Sequence, residues 1–211
     1  MPDILAIAFD MDGVLIDAKE WHYESLNRAL AHFGYAISRL EHLTTFDGLP
    51  TSRKLEMLSL DRGLPRGLHR LLNDLKQGYT TELTHLRCKP TFAHEYALSK
   101  LKGMGYKLAV ASNSVRATVE LMMEKSGLRP YLDVILSNQD VTRSKPDPEM
   151  YATAATRLGV RPDECLVVED NPNGIKAAEA AGCPVLVVPG VESVHLANIL
   201  AAVRRAEGGP A

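Results

Sequence analysis

The feature that most constrains the fold of this chain is a series of short, almost wholly apolar runs separated by helical patterns. The runs lie at Ile4–Phe9, Lys107–Ala111, Val134–Leu136, Leu166–Val168 and Val185–Val188. A strand that is apolar at nearly every position is typical of a parallel sheet buried on both faces. Because helical patterns alternate with these strands, the sequence predicts an α/β fold with a doubly wound, Rossmann-like parallel sheet.

Turn-forming residues mark the ends of several predicted helices. Asp147 followed by Pro148 predicts a helix with Asp147 as its N-cap and Pro148 as its first residue, and Gly159 predicts its end. Gly182 predicts the end of another helix. The face of that helix formed by Ile175, Ala178 and Ala181 is predicted to be small enough to approach a sheet closely.

The alternation of strands and helices breaks after the first strand. Between Ala18 and about Cys88 no strand pattern is convincing. Two apolar stripes with helical spacing lie there instead, one formed by Leu26, Ala29, Leu30 and Phe33 and the other by Leu68, Leu71, Leu72, Leu75 and Tyr79. The sequence therefore predicts an inserted α-helical cap domain at 17–88 and an α/β core at 1–16 and 89–211.

The composition excludes several classes of protein. The chain has 211 residues, of which 45% are hydrophobic and 24% charged, and its net charge of −2 gives no general attraction to nucleic acid or anionic membranes. Three scattered cysteines are too few for a disulfide framework or a zinc cluster. No window reaches the roughly 20 apolar residues of a membrane span. We therefore expect a cytoplasmic protein, a monomer or weak dimer, that binds neither nucleic acid nor membranes.

Polar side chains follow four of the predicted strands. Asp10 and Asp12 come directly after the first strand. The later strands are followed by Ser112-Asn113, by a loop containing Lys145, and by Glu169-Asp170. Because ligands of open α/β sheets bind beyond the carboxyl ends of the strands, we expect these side chains to converge on one site.

The charges of this predicted site favour a metal ion and a phosphate group. Four carboxylates beside one lysine repel one another at close range, and a divalent cation relieves that repulsion. Ligands that are all oxygen atoms favour Mg²⁺. With Mg²⁺ and Lys145 present, the pocket would attract a phosphate group.

Each motif by itself also has a purely structural interpretation. Asp10-Met-Asp-Gly13 could be a turn, Ser112-Asn113 a helix start, Lys145 a surface lysine and Glu169-Asp170 a helix cap. The glycine in the first motif comes too early for a calcium-binding EF-hand loop, and no Walker-type loop is present. Their joint occurrence at successive strand ends favours the functional interpretation.

These motifs resemble those of the haloacid dehalogenase superfamily, in its phosphatase and β-phosphoglucomutase-like branch with an inserted helical cap. The matching stretches are FDMDGVLID (Phe9–Asp17), VASNS (Val110–Ser114), SKPDPEMY (Ser144–Tyr151) and VVEDNPNGIKAAEAAG (Val167–Gly182). Their order and spacing cover essentially the whole predicted core. The resemblance implies a Rossmann-like core with the cap inserted after the first motif.

The resemblance also implies catalytic roles. Asp10 would be the nucleophile that forms an aspartyl-phosphate, and Asp12 the general acid and then the general base. Ser112 and Asn113 would bind phosphoryl oxygens, and Lys145 would balance charge on the phosphate and the nucleophile. The presence of Asp12 favours phosphate chemistry, because the dehalogenases of the superfamily lack this second aspartate.

The same resemblance implies a Mg²⁺ site. Asp10, the backbone carbonyl of Asp12 and Asp170 would bind the metal, with Glu169 binding it directly or through water. Asn171 departs from the serine that commonly follows the Glu-Asp pair, and we expect it to cap the next helix.

The sequence favours a Mg²⁺-dependent phosphatase acting on a small phosphorylated metabolite such as a sugar phosphate. The alternative is a β-phosphoglucomutase-like phosphosugar mutase, because His22 and Arg53 resemble cap residues that bind substrate in that group. Arg53 comes two positions late after Gly48, and Lys76 is shifted by one against Tyr79, which favours the phosphatase. The structural interpretation of these cap residues is solvated or packing side chains.

A signalling receiver domain is a further alternative, from a different class. Receivers also combine a doubly wound sheet, acidic residues, a hydroxyl and a lysine. In receivers the acidic pair follows the first strand and the phospho-accepting aspartate comes later. The order is reversed here, and Asp12 supplies the means of removing the phosphate.

Overall fold

The computed structural model describes residues 3–209 and divides into two compact units. One unit consists of the chain up to Asp17 together with the chain from Lys89 onward, and the other is Ala18–Cys88. The boundaries predicted from sequence, 16/17 and 88/89, lie within one residue of this division. Residues 1–2 and 210–211 of the predicted core lie outside the described part of the chain.

The first unit is built on a parallel sheet of five strands in the order β3-β2-β1-β4-β5. The strands are β1 (Ala6–Phe9), β2 (Lys107–Ala111), β3 (Val134–Leu136), β4 (Cys165–Glu169) and β5 (Val185–Val187). All five lie where the apolar runs predicted them. Phe9 pairs with Val110 on one side and with Val168 on the other. Residues that follow β1, β2 and β4 therefore emerge side by side at one edge.

The helices occupy the connections between strands and the inserted segment. In chain order they are α1 (Lys19–Ala31), α2 (Arg39–Glu41), α3 (Thr51–Arg62), α4 (His69–Arg87), α5 (Phe92–Gly103), α6 (Arg116–Lys125), α7 (Glu149–Leu158), α8 (Pro172–Ala181) and α9 (Leu196–Ala206). A π-helical turn covers His42–Phe46, and short 3₁₀ turns cover Arg66–Leu68, Arg129–Tyr131, Pro162–Glu164 and Val191–Ser193.

The ends of α7 and α8 test the capping predictions. Gly159 and Gly182 end these helices in the left-handed conformation, as predicted. Asn171 caps α8 by accepting a hydrogen bond from the Asn173 amide at 3.0 Å, which confirms the predicted cap. Helix α7 begins at Glu149, one residue later than predicted, but Asp147 accepts a hydrogen bond from the Glu149 amide at 3.0 Å, which is the bond predicted of the N-cap.

Small side chains let the helices approach the sheet closely. The face of α8 that is buried consists of Gly174, Ala177 and Ala178. Of the predicted face, Ala178 is buried and Ala181, although partly buried, packs against the core cluster, whereas Ile175 is only partly buried. Tyr151 of α7 is fully buried in a cluster of mainly small residues from the sheet, α7 and α8.

The second unit is helical and has its own hydrophobic core. Within Ala18–Cys88, all of which the structure describes, no residue is in a strand. Helices α1 and α4 pack together, and their stripes form much of a cluster that also includes Phe46, Leu55 and Leu58. Leu71 was predicted to belong to this core but is 47% exposed.

Within residues 3–209, none of the helices combines the length and the apolar character that a membrane crossing requires.

Candidate active site

The ammonium group of Lys145 is the centre of the predicted site in the first unit. Its Nζ atom lies 2.6 Å from Asp10 Oδ1, 2.8 Å from the carbonyl oxygen of Ala111, 2.7 Å from the Tyr151 hydroxyl and 2.8 Å from Glu169 Oε1. Lys145 is only 4% exposed. The loop after β3 therefore delivers a buried cation to the ends of β1, β2 and β4.

For both Lys145 and Asp10, burial and the neighbouring charge of opposite sign shift the pKa in opposite directions. Burial lowers the pKa of Lys145, but the carboxylates of Asp10 and Glu169 outweigh it and the pKa is raised. Burial raises the pKa of Asp10 well above its usual range, and Lys145 opposes that rise. Lys145 is therefore held as a cation, and it favours the ionised form of Asp10.

Protein donors surround the Glu169 carboxylate on all sides. Oε1 accepts hydrogen bonds from Lys145 Nζ and from the Tyr151 hydroxyl, the latter at 2.7 Å. Oε2 accepts bonds from the backbone amides of Asp170 and Asn171, at 3.0 and 3.1 Å. A carboxylate has about four acceptor positions, so these contacts leave little room for a further direct ligand. Glu169 is 1% exposed and fixed in place.

Gly174 at the start of α8 makes room for this carboxylate. A Cβ atom at that position would lie 1.6 Å from Glu169 Oε1 and 2.0 Å from its Cδ. Only glycine allows the first turn of α8 to pass so close to Glu169. The small residues on the buried face of α8 thus allow both close packing on the sheet and the position of the Glu169 carboxylate.

Three carboxylates form a cluster that fits a divalent cation. Asp10, Glu169 and Asp170 each offer one oxygen, and these oxygens lie within 4.8 Å of one another. A set of donors made only of carboxylate oxygens suits a hard cation such as Mg²⁺. The residues present therefore fit the metal that the sequence predicts.

The residues after β2 contact other parts of the site. Asn113 Oδ1 accepts a bond from the Lys145 amide at 3.2 Å, and Asn113 Nδ2 donates to the Lys145 carbonyl at 3.4 Å. Ser112 is buried, and its Oγ accepts a bond from the Ser114 amide at 3.0 Å. The Ser114 hydroxyl donates to Asp12 Oδ2 at 3.2 Å. Asn113 therefore binds the backbone of Lys145 through two hydrogen bonds, and Ser114 orients the carboxyl group of Asp12.

The cap residues singled out in the sequence lie in the helical unit. His22 Nδ1 of α1 and Lys76 Nζ of α4 are 3.1 Å apart, and Lys76 is buried. Arg53 lies in the first turn of α3 and is exposed. Lys54, the next residue, is only 8% exposed and was not singled out from sequence.

Sequence reasoning missed three residues of the core site: Tyr151, Ser114 and Gly174. All three stand within the stretches that carry the family resemblance, so a signal for them was present. Their roles depend on contacts between distant segments, such as that between Ser114 and Asp12. Such contacts cannot be read from spacing along the chain.

The comparisons with known proteins show the family of this chain. The family described as haloacid dehalogenase-like hydrolase matches residues 7–188. The phosphorylated carbohydrates phosphatase of Thermotoga maritima is 29% identical over 182 residues, which cover 84% of this chain and 81% of that protein. The phosphoglycolate phosphatase of Thiobacillus denitrificans is 29% identical over 189 residues, which cover 88% of this chain and 83% of that protein.

Solved structures share the fold. The crystal structure of β-phosphoglucomutase from Clostridium difficile superposes with a TM-score of 0.83 at 21% identity, covering 97% of this chain and 99% of that one. At this identity the similarity shows the fold alone, whereas the family match covers most of the chain and the relatives are named phosphatases. The chain thus belongs to the haloacid dehalogenase-like hydrolases and is a phosphatase of that family, a phosphoric monoester hydrolase.

Proposed function

We propose that this protein is a Mg²⁺-dependent phosphatase that hydrolyses a small phosphate monoester, a sugar phosphate or similar metabolite, through an aspartyl-phosphate intermediate. The observation that carries the proposal is the contact of the buried Lys145 ammonium with Asp10 beside the carboxylates of Glu169 and Asp170. This arrangement offers a nucleophile, a fixed cation and a metal-binding set at one edge of the sheet.

In the first step, a carboxylate oxygen of Asp10 attacks the phosphorus atom of the substrate. The bond from phosphorus to the substrate's ester oxygen breaks, and Asp12 donates its proton to that oxygen. The hydrogen bond from Ser114 to Asp12 Oδ2 supports this role because it orients the carboxyl group. The products of this step are the free alcohol and a phosphate ester on Asp10.

In the second step, a water molecule attacks the phosphorus atom of the aspartyl-phosphate. Asp12, now ionised, accepts a proton from that water, and the bond between phosphorus and the Asp10 oxygen breaks. Phosphate is released, and both aspartates return to their starting states. Ser112 and Asn113 bind phosphoryl oxygens in this scheme, and Lys145 stabilises charge that moves between Asp10 and the phosphoryl group.

The residues that would hold the metal are Asp10, Asp170 and the backbone carbonyl of Asp12. Glu169 lies beside them and would bind the metal through water rather than directly, because its oxygens already accept hydrogen bonds from protein donors. When bound, Mg²⁺ supplies charge neutralisation and alignment for the phosphoryl oxygens.

The helical unit Ala18–Cys88 is the proposed substrate-specificity domain, and the α/β unit the catalytic one. His22 and Arg53 are the proposed substrate contacts of the cap. The substrate class is supported by the relatives, one named for phosphorylated carbohydrates and another for phosphoglycolate. The shared chemistry is a phosphate monoester on a small, oxygen-rich carbon skeleton.

A phosphosugar mutase is the second candidate, and the contact between His22 and Lys76 favours it. A lysine and a histidine held together in this way could bind a sugar phosphate while one of its hydroxyl groups, rather than water, attacks the aspartyl-phosphate. The first half-reaction and the core residues would be the same. Only the acceptor of the phosphoryl group differs between the two candidates.

The two candidates are separated by a single pair of assays. Phosphate release is measured from a panel of sugar phosphates and small acid phosphates with Mg²⁺, beside a coupled assay for isomerisation of β-glucose 1-phosphate. Phosphate release from one or a few substrates is the expected result. Isomerisation with little phosphate release would replace the phosphatase by the mutase, and neither activity on any substrate would contradict both.

A further inference from the structure

We propose that Tyr151 is a positioning residue of the phosphatase: its hydroxyl group joins Lys145 to Glu169 and thereby holds the Lys145 ammonium against Asp10. The inference rests on the proposed function and names a residue to which the mechanism above gives no role. Tyr151 lies in the first turn of α7, and its side chain is fully buried.

The proposal begins with the number of hydrogens on Lys145. An ammonium group has three N–H bonds, but four oxygens lie within 2.6–2.8 Å of Nζ. Asp10, Glu169 and the Ala111 carbonyl can only accept hydrogen bonds when the two carboxyl groups are ionised. Two of the four oxygens therefore share one N–H hydrogen, and the Tyr151 hydroxyl is the member of the set that can donate a hydrogen of its own.

The direction of the hydroxyl's own hydrogen follows from its neighbours. An ammonium nitrogen has no lone pair, so the Tyr151 hydroxyl, 2.7 Å from Lys145 Nζ, can only accept from it and donates its own hydrogen to Glu169 Oε1, which is also 2.7 Å away. Glu169 Oε1 thereby receives two donors, and its other oxygen is occupied by backbone amides. The carboxylate cannot rotate without breaking bonds to a buried charge, each of which is costly to lose.

The surroundings of Tyr151 make the hydroxyl rigid as well. The ring packs in the core cluster with Ala154 and Ala155 of α7 and with Ala177 and Ala178 of α8. Since close-packed side chains have few alternative rotamers, the ring aims its oxygen at one place. Tyr151 is thus held by the hydrophobic core, and its hydroxyl group in turn holds Lys145, which lies in a loop.

The test replaces Tyr151 by phenylalanine, which keeps the ring and removes only the oxygen. In Tyr151→Phe, we expect kcat for phosphate release to fall by roughly tenfold to a hundredfold, the loss for one hydrogen bond to a charged group. KM for the same substrate should change by less than about threefold, because the hydroxyl does not touch the substrate. Mg²⁺ affinity of the free enzyme, measured by calorimetry, should weaken because the carboxylate cluster loses its fixed geometry.

A matched control is available in the same unit. Tyr131 also donates its hydroxyl hydrogen to a glutamate, Glu95, at 3.3 Å. It lies before β3, at the opposite end of the strands from the site. Tyr131→Phe should leave kcat and Mg²⁺ affinity unchanged. Equal losses of kcat in the two variants would overturn the proposal.

A double-mutant cycle with Glu169→Gln tests whether Tyr151 acts through Glu169. In the Glu169→Gln background, Tyr151→Phe should cost less than about twofold in kcat, because the carboxylate it holds is already altered. The same fold-loss in both backgrounds would contradict the proposed route. Wild-type kcat retained in Tyr151→Phe would overturn the proposal outright.

Two further measurements keep the outcome decisive. If Tyr151→Phe does not fold, NMR of the wild-type protein decides instead: a slowly exchanging Tyr151 hydroxyl proton close to the Lys145 ammonium supports the proposal, and rapid exchange overturns it. The first measurement is phosphate release by the wild type and by Asp10→Asn, which should be inactive. A wild type without phosphatase activity would contradict the proposed function, whereas an active wild type with an equally active Tyr151→Phe would contradict only this inference.

Discussion

Replacing Gly174 by alanine should lower both the stability and the activity of the protein, because it displaces the carboxylate of Glu169. The new Cβ atom would stand 1.6 Å from Glu169 Oε1, 2.0 Å from Cδ and 2.5 Å from Oε2. Ordinary contacts require more than 3 Å, so the carboxylate must move. It cannot move freely, since it is buried and holds four hydrogen bonds.

The size of the effect follows from the bonds that would break. Displacing Oε1 removes its bonds to Lys145 and Tyr151, and each hydrogen bond to a charged group contributes about 1.5–3 kcal/mol. Alanine recovers up to about 1 kcal/mol through its better helix propensity. The net loss in free energy of unfolding should be about 2–5 kcal/mol, which lowers the melting temperature by roughly 4–20 °C in a chain of this size.

The assay compares Gly174→Ala with Gly78→Ala. Gly78 lies inside α4, and a Cβ atom there would meet no atom of the described residues within 4 Å. Gly78→Ala should therefore be neutral or up to about 1 kcal/mol more stable. Denaturant unfolding followed by circular dichroism gives the free energies for both, and the single tryptophan, Trp21 of α1, reports separately on the helical unit.

Phosphate release should fall at least about tenfold in Gly174→Ala, because Lys145 loses the carboxylate that helps to hold it. Gly78→Ala should remain fully active. A Gly174→Ala protein as stable and as active as the wild type would refute the reasoning, because it would mean that Glu169 moves without consequence.

Further predictions concern the nucleophile, the metal and a buried histidine. Asp10→Asn should abolish phosphate release while unfolding at the wild-type denaturant concentration. Thorough chelation of divalent cations should abolish activity, and added Mg²⁺ should restore it; full activity after chelation would contradict the metal's role. Burial, and then the charge of Lys54, lowers the pKa of His42 to about 4. Because the unfolded chain binds that proton near pH 6.5, stability should fall by about 2 kcal/mol from pH 7 to 5 in denaturant titrations. His42→Gln should remove that loss, whereas the exposed His85→Gln should retain it.

The prediction for His42 has a structural basis in its hydrogen bonds. Nε2 donates to the Lys19 carbonyl at 3.1 Å, so Nδ1 carries no hydrogen in the neutral ring. Within residues 3–209, Nδ1 has no hydrogen-bond partner. A proton added there would be buried without an acceptor, which is why protonation opposes folding.

Much of the fold could be predicted because it follows from local chemistry. Five apolar runs became five parallel strands, since a strand without polar alternation is stable only when both faces are covered. Gly159 and Gly182 ended α7 and α8 because glycine adopts the left-handed conformation at little cost. Leu71 and the first residue of α7 were predicted wrongly, since neighbouring elements decide which side chains are covered and where a helix begins.

The amino-acid sequence by itself determined which chemical groups follow which strands, and therefore the family, the acidic cluster and the cation at Lys145. It could not determine the partners of those groups. Three examples are the hydrogen bonds of Tyr151, the contact of Ser114 with Asp12 and the space that Gly174 leaves for Glu169. Each involves segments that are distant along the chain or have no regular spacing. Only tertiary packing brings such segments into contact, because local propensity carries no information about which residue lies across the sheet edge.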